Sequence, residues 1–157
     1  MKEIVKFIQE GLKITSNTKV NKRPKYNYHP KTKEELQDLI NQLIKERGNE
    51  GDFNDIDTSE ITNMSELFKD IKNFNGDISK WNVSNVTNMR YIFYGRELFN
   101  RPLAKWDVSN VTDMSSIFSS CKSFNQNISN WDVSKVKYNQ KIFYNCQIEE
   151  KYKPKFK

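Results

Sequence analysis

The large apolar residues of this chain stand in columns with a step of 25. FNGDISKWNVSNVTNMRYIF (74–93) recurs as FNRPLAKWDVSNVTDMSSIF (99–118) and, in weaker form, as FNQNISNWDVSKVKYNQKIF (124–143). An earlier partial copy, DFNDIDTSEITNMSELF (52–68), fits the same register. Phe74, Phe99 and Phe124 form one column, and Ile56, Trp81, Trp106 and Trp131 a second. Met64, Met89 and Met114 form a third, and Phe68, Phe93, Phe118 and Phe143 a fourth. A unit of 25 residues cannot bury its apolar face alone, so equivalent units must stack to make a continuous core. The period predicts a solenoid of about four coils.

Within a unit, Ile78, Trp81, Val83, Val86, Met89, Ile92 and Phe93 are spaced too irregularly for one long helix or strand, and a short strand turning into a short helix is expected. Extended chain is placed at the WxVSxV segment, where Val83, Val108 and Val133 flank Ser84, Ser109 and Ser134. A helix of one or two turns is placed from Met89 and Met114, with Thr87-Asn88 and Thr112-Asp113 as caps. The last unit departs from the pattern at Lys137, Tyr138 and Asn139, as a terminal repeat should.

Ahead of the repeats, TKEELQDLINQLIKERG (32–48) predicts an amphipathic helix that lids one end of the stack. Thr32 and Glu35 make a capping box, Leu36, Leu39, Ile40, Leu43 and Ile44 an apolar stripe, and Gly48 the stop. The chain therefore divides into an N-terminal helix and basic linker (1–31), the capping helix (32–48), the repeats (49–146) and a basic C-terminal tail (147–157). The N-terminal helix would run through Ile4, Ile8 and Leu12 and needs something to pack on.

Charge is unevenly placed. Residues 1–33 carry nine Lys/Arg against two acids and residues 133–157 seven against two, whereas 50–132 carry eight against twelve, so an acidic middle lies between basic ends. Such ends meet nucleic acid, an acidic protein or an anionic membrane surface, or are solvated tails. No run approaches the 18 apolar residues of a membrane span. The start lacks the uninterrupted apolar region of a secretory signal, so the expected location is the cytoplasm, or the cell surface if a signal has been removed.

The pattern FNxDISxWxVSxVTxM…F resembles the tandem repeat of the bacterial BspA-like leucine-rich-repeat surface proteins. The likeness covers roughly residues 28–146, including the lead-in helix. It implies a leucine-rich-repeat-like solenoid with a role in adhesion or protein interaction. The expected fold is thus an α/β repeat of strand–helix coils with an N-terminal capping helix.

Catalysis finds little support. His29 is the only histidine, it follows Tyr28 and precedes Pro30, and pairing it with Cys121 or Cys146 would need chance folding. The two cysteines are 25 apart, hence in equivalent places of neighbouring units, and read as small buried thiols. Asp52, Asp55 and Asp57 crowd together, but two of them belong to repeat columns and no calcium-loop spacing is present, so turn and capping roles are expected and neither metal nor cofactor.

The tryptophan column could serve as a stacking platform, but it begins with Ile56 and reads as core. What remains are positions that vary between units beside constant ones. Arg90, Tyr91, Tyr94, Arg96 and Arg101 cluster in the second coil and its following loop and form the leading contact patch for a protein partner, Arg and Tyr being enriched at interface hot spots. The rival reading is nucleic-acid binding through Lys19, Lys22, Arg23, Lys25, Lys31 and Lys33 at one end and Lys151, Lys153, Lys155 and Lys157 at the other. Tyr26, Tyr28, Tyr152 and Phe156 are interleaved with these lysines. The sequence specifies neither the partner nor the oligomeric state.

Overall fold

A computed structural model describes residues 25–157. The expected N-terminal helix and the candidates Lys19, Lys22 and Arg23 lie outside the described residues.

One α-helix, α1 (Lys33–Arg47), opens this part of the chain. The Thr32 hydroxyl accepts the Glu35 amide (3.2 Å), while the Glu35 carboxylate accepts the amide of Lys31 (2.7 Å). Gly48 ends the helix at φ 76°, a left-handed conformation open to glycine, with its amide on the Ile44 carbonyl. Leu36, Leu39, Ile40 and Leu43 are buried. Polar contacts hold α1 against the first unit: Gln37 Nε2 donates to the Leu67 carbonyl (3.3 Å), and Arg47 takes Asp55 through both guanidinium nitrogens (2.7 and 3.0 Å).

The strand–helix coil does not form. Beyond α1, the described residues hold only a three-residue 3₁₀ turn at Glu150–Tyr152 and isolated parallel bridges, with no named strand and no sheet. The α/β, leucine-rich-repeat-like architecture expected from the sequence is therefore replaced by units built from turns. Two local causes are visible. At the WxVSxV segment, the Val86 amide returns to the Val83 carbonyl (3.0 Å), and Val111 and Val136 repeat this on Val108 and Val133, so the segment is a turn rather than extended chain. Asn82, Asp107 and Asp132 stabilise it, each side chain accepting the amide two residues on (3.0, 3.1 and 3.0 Å). Side chains of this kind draw backbone donors away from helix and strand.

At the expected helix, Asn88 and Asp113 do receive the amides of Arg90 and Ser115. The next residue, however, takes a left-handed conformation in every unit: Glu66 at φ 56°, Tyr91 at 57°, Ser116 at 54° and Lys141 at 53°. An α-helix cannot pass through such a residue.

The 25-residue register nevertheless governs the hydrogen bonds. Bridges join Asn63 to Asn88, Asn88 to Asp113 and Asp113 to Tyr138. From there every second amide points to the next unit: Met89 to Asp113, Tyr91 to Ser115, Phe93 to Ile117 and Gly95 to Ser119, at 2.9 to 3.1 Å. Met114, Ser116, Phe118 and Ser120 do the same toward Tyr138, Gln140, Ile142 and Tyr144. Along the core, the rings of Phe68, Phe93, Phe118 and Phe143 lie 5.5, 5.4 and 6.0 Å apart and nearly parallel. Trp81, Trp106 and Trp131 are buried, and each indole N–H donates to a carbonyl of the preceding unit (2.9 to 3.0 Å), which makes the column a set of internal staples and not a stacking platform.

The C-terminal residues 147–157 fold back on the last unit. The Ile128 amide donates to the Tyr152 carbonyl (3.0 Å), Ile148 and Pro154 are buried, and Tyr152 and Phe156 pack against the core. Among the described residues no helix is long and apolar enough to cross a membrane.

Candidate functional site

The units differ most where the chain leaves each methionine. Units two and four carry Arg90, Tyr91 and Tyr94, and Gln140, Lys141 and Tyr144, where unit three carries Ser115, Ser116 and Ser119. Small residues between rows of large ones leave a recess. A notch of about 590 Å³ opens there, lined by Tyr91, Tyr94 and Arg96 on one side, Lys141 and Tyr144 on the other, and Ser116, Ser119 and Ser120 between them; Glu66 and Lys69 extend it over the first unit.

The walls are exposed aromatic surface on a buried polar floor. Tyr94 is 50% and Tyr144 64% exposed, whereas Ser119 is 2% exposed, and the Ser119 hydroxyl makes no hydrogen bond among the described residues. Tyr91 and Tyr94 meet edge to face at 5.3 Å. Arg90 lies over the Tyr91 ring (4.8 Å) and holds its phenol below the ordinary tyrosine range by hydrogen bonding and charge.

Arg96 donates through Nη1 to the Phe68 and Lys69 carbonyls (2.8 and 3.1 Å), its Nε is buried without an acceptor, and burial lowers its pKa from the ordinary value. Glu66 is paired with Lys69 (3.6 Å). Arg90, Arg96 and Lys141 have no carboxylate partner among the described residues, so the notch carries a surplus of positive charge.

Of the five residues expected as a contact patch, Tyr91, Tyr94 and Arg96 line the notch and Arg90 borders it. Arg101 is elsewhere, donating to the Asn75 carbonyl (2.8 Å) and the Glu50 carbonyl (3.3 Å) as a clamp between units. Ser115, Ser116 and Lys141 stand among the variable columns but outside the expected patch, and sequence reasoning missed Tyr144, Ser119 and Ser120. The signal was present in columns 91/116/141 and 94/119/144, where a small residue falls between two large ones.

The basic ends are partly committed. Lys151 pairs with Glu149 (3.1 Å) and Lys153 with Glu150, while Lys155 and Lys157 are exposed. At the other end Lys25 and Lys31 are exposed and Lys33 reaches the Ser65 hydroxyl (3.5 Å). Tyr28, Tyr152 and Phe156 pack against the core, which takes them from the bases they would have to stack on.

Other chemistry is dispersed. His29 meets Asp57 (3.2 Å). Asp52 accepts from Asn54, Asp55 holds Arg47, and Asp57 accepts the Ser59 amide, so the three carboxylates face different partners. Cys121 and Cys146 are both free. The Cys121 thiol donates to the Phe93 carbonyl (2.9 Å), and burial raises the pKa of both thiols, which keeps them protonated and poorly nucleophilic.

Residues 36–155 match a family described as Mycoplasma protein of unknown function, DUF285. The chain belongs to this DUF285 family. The match takes in most of α1, every stacked unit and the notch, so the notch lies within the family region. Neither the curated proteins nor the solved structures give a match.

Proposed function

We propose that this DUF285 chain is a non-enzymatic module that binds another protein through the face of its stacked units, with the notch as the centre of contact. The observation that carries the reading is the insertion of a serine-floored unit between two units whose tyrosines and cations stand exposed. Exposed Tyr and Arg beside a recess are the side chains that most often dominate protein interfaces, because they add large contact area at small conformational cost. The resemblance of the repeat to adhesive and interaction proteins points the same way. Nucleic-acid binding at the basic ends is the rival, and it has less support, since three of its four interleaved aromatics pack inward.

The test uses Ser119→Tyr. Tyr94 and Tyr144 occupy the same place in neighbouring units, so the backbone accepts the ring while the ring fills the notch. Immobilised wild-type chain is expected to retain a partner protein from nuclease-treated extract, with at least tenfold less retained by S119Y at an unchanged circular dichroism spectrum. Retention that nuclease abolishes, or that S119Y leaves intact, overturns the reading.

A further inference from the structure

In units two and three, four alternate amides each donate to the following unit. The corresponding amides of the last unit, Asn139, Lys141, Phe143 and Asn145, donate to no acceptor among the described residues. The C-terminal segment bonds to the last unit at Ile128 and lays Lys153 over the Phe143 ring (5.3 Å), but gives the amides of this row no acceptor, and Asn139, Gln140, Lys141, Tyr144 and Asn145 are all exposed. At the opposite end, α1 closes the stack. The two ends are therefore unlike: the described end at α1 is covered, and the last unit offers a row of amide donors that meet no acceptor among the described residues.

A row of unpaired donors is a template for another backbone, because each amide gains an acceptor when a chain lies along it in the turn-rich shape that Tyr138, Gln140, Ile142 and Tyr144 present to the third unit. The charge around the row specifies which chain. Glu149 and Glu150 are neutralised by Lys151 and Lys153, which leaves Lys135, Lys137, Lys141, Lys155 and Lys157 without an ion pair among the described residues. Lys141 also forms one wall of the notch, so the open row and the notch adjoin.

We propose that the open edge of the last unit, residues 139–145, receives an acidic segment of a partner protein that takes up the turn-rich backbone shape of a further unit. Its carbonyls pair with the amides of Asn139, Lys141, Phe143 and Asn145, and its carboxylates meet Lys137 and Lys141. The inference rests on the protein-binding reading and names the partner's chemistry. A nucleic acid would meet the same lysines but has no row of carbonyls to match the amides.

Amide hydrogen exchange by NMR on the full chain tests it, with the capped octapeptide (Thr-Glu)4 as probe, (Thr-Gln)4 and (Thr-Lys)4 as controls, and a dT12 oligonucleotide as competitor. In the free protein the four edge amides are expected to exchange at least a hundredfold faster than those of Met114, Ser116, Phe118 and Ser120. The acidic peptide is expected to slow them, at least tenfold more strongly than the neutral one, and Lys141→Glu is expected to remove that difference.

Equal protection by the neutral peptide overturns the acidic selection. Peptide perturbation confined to Tyr91, Tyr94 and Ser119 overturns the edge while leaving the protein-binding reading in place. Perturbation by dT12 with none from any peptide overturns both. No protection of the four amides by any probe overturns the edge proposal, and the S119Y capture then decides the broader reading separately.

Discussion

Replacing Trp106 with alanine removes the central staple of the stack. The indole is 3% exposed, lies parallel to Trp131 at 6.5 Å and against Phe93 at 6.0 Å, and donates to the Ile78 carbonyl at 3.0 Å. Truncating a buried tryptophan costs about 3–5 kcal/mol through lost transfer energy and the cavity left behind. Within that cost, about 1 kcal/mol or more is the buried Ile78 carbonyl losing its donor.

Trp106→Phe separates the two contributions, because it keeps most of the ring and loses the N–H, and a loss of about 1–2 kcal/mol is expected. Apart from Arg101, which also reaches the Glu50 carbonyl of the first unit, the bonds of the third unit run to its neighbours, so a weak joint there should also lower cooperativity and reduce the denaturant slope. Urea unfolding followed by the fluorescence of Trp81 and Trp131 reads both quantities. A W106A midpoint and slope within error of wild type would refute the reasoning.

The remaining predictions follow from single contacts. At Gly76 an added Cβ would stand 2.5 Å from Phe53 Cε2 and 2.7 Å from Phe74 Cε2, both rings fully buried, so Gly76→Ala should lower stability by about 1–3 kcal/mol by overpacking, read as an earlier urea midpoint. The carboxyls of Asp77, Asp107 and Asp132 lie below their ordinary pKa. Burial raises Asp77, but bonds from Ser79 outweigh it, and bonds from Ser109 and Ser134 lower the other two.

Their contribution is therefore complete above the unfolded value of about 3.9 and is lost as pH falls below it toward the lowered folded values. A triple Asp→Asn variant keeps the turns, as Asn82 and Asn127 do naturally, and should show a shallower loss of urea stability between pH 5 and pH 2 than wild type. An equal loss in both would show that these turns do not carry the acid sensitivity.

The sequence made the register legible because large residues repeat at a fixed step, and it made α1 legible because Thr32, the apolar stripe and Gly48 each mark a different part of a helix. It did not reveal the local conformation inside a unit. Val83 beside Ser84 reads as extended chain, but the separation of three between Val83 and Val86 is that of a turn, and Asn82 decides between them by accepting the Ser84 amide. Thr87-Asn88 does read as a helix start, and the left-handed Tyr91 then ends it, a conformation that no side-chain pattern in YIF announces.

The candidate site was half visible for a similar reason. Tyr91, Tyr94 and Arg96 stood out as large variable side chains, whereas the notch also depends on what Ser116 and Ser119 lack. Arg101 resembled its neighbours in chemistry, and only the folded chain shows its guanidinium engaged with two carbonyls.

Site-specific photo-crosslinking tests the protein-binding account most directly. A benzophenone side chain placed at Tyr94, exposed on the wall of the notch, is compared with one at Lys105, exposed and outside it. The account predicts a discrete protein adduct from position 94 in whole cells, absent from position 105 and lost when Ser119→Tyr is added. Equal adducts from both positions, or a position-94 adduct that survives the filled notch, would contradict it.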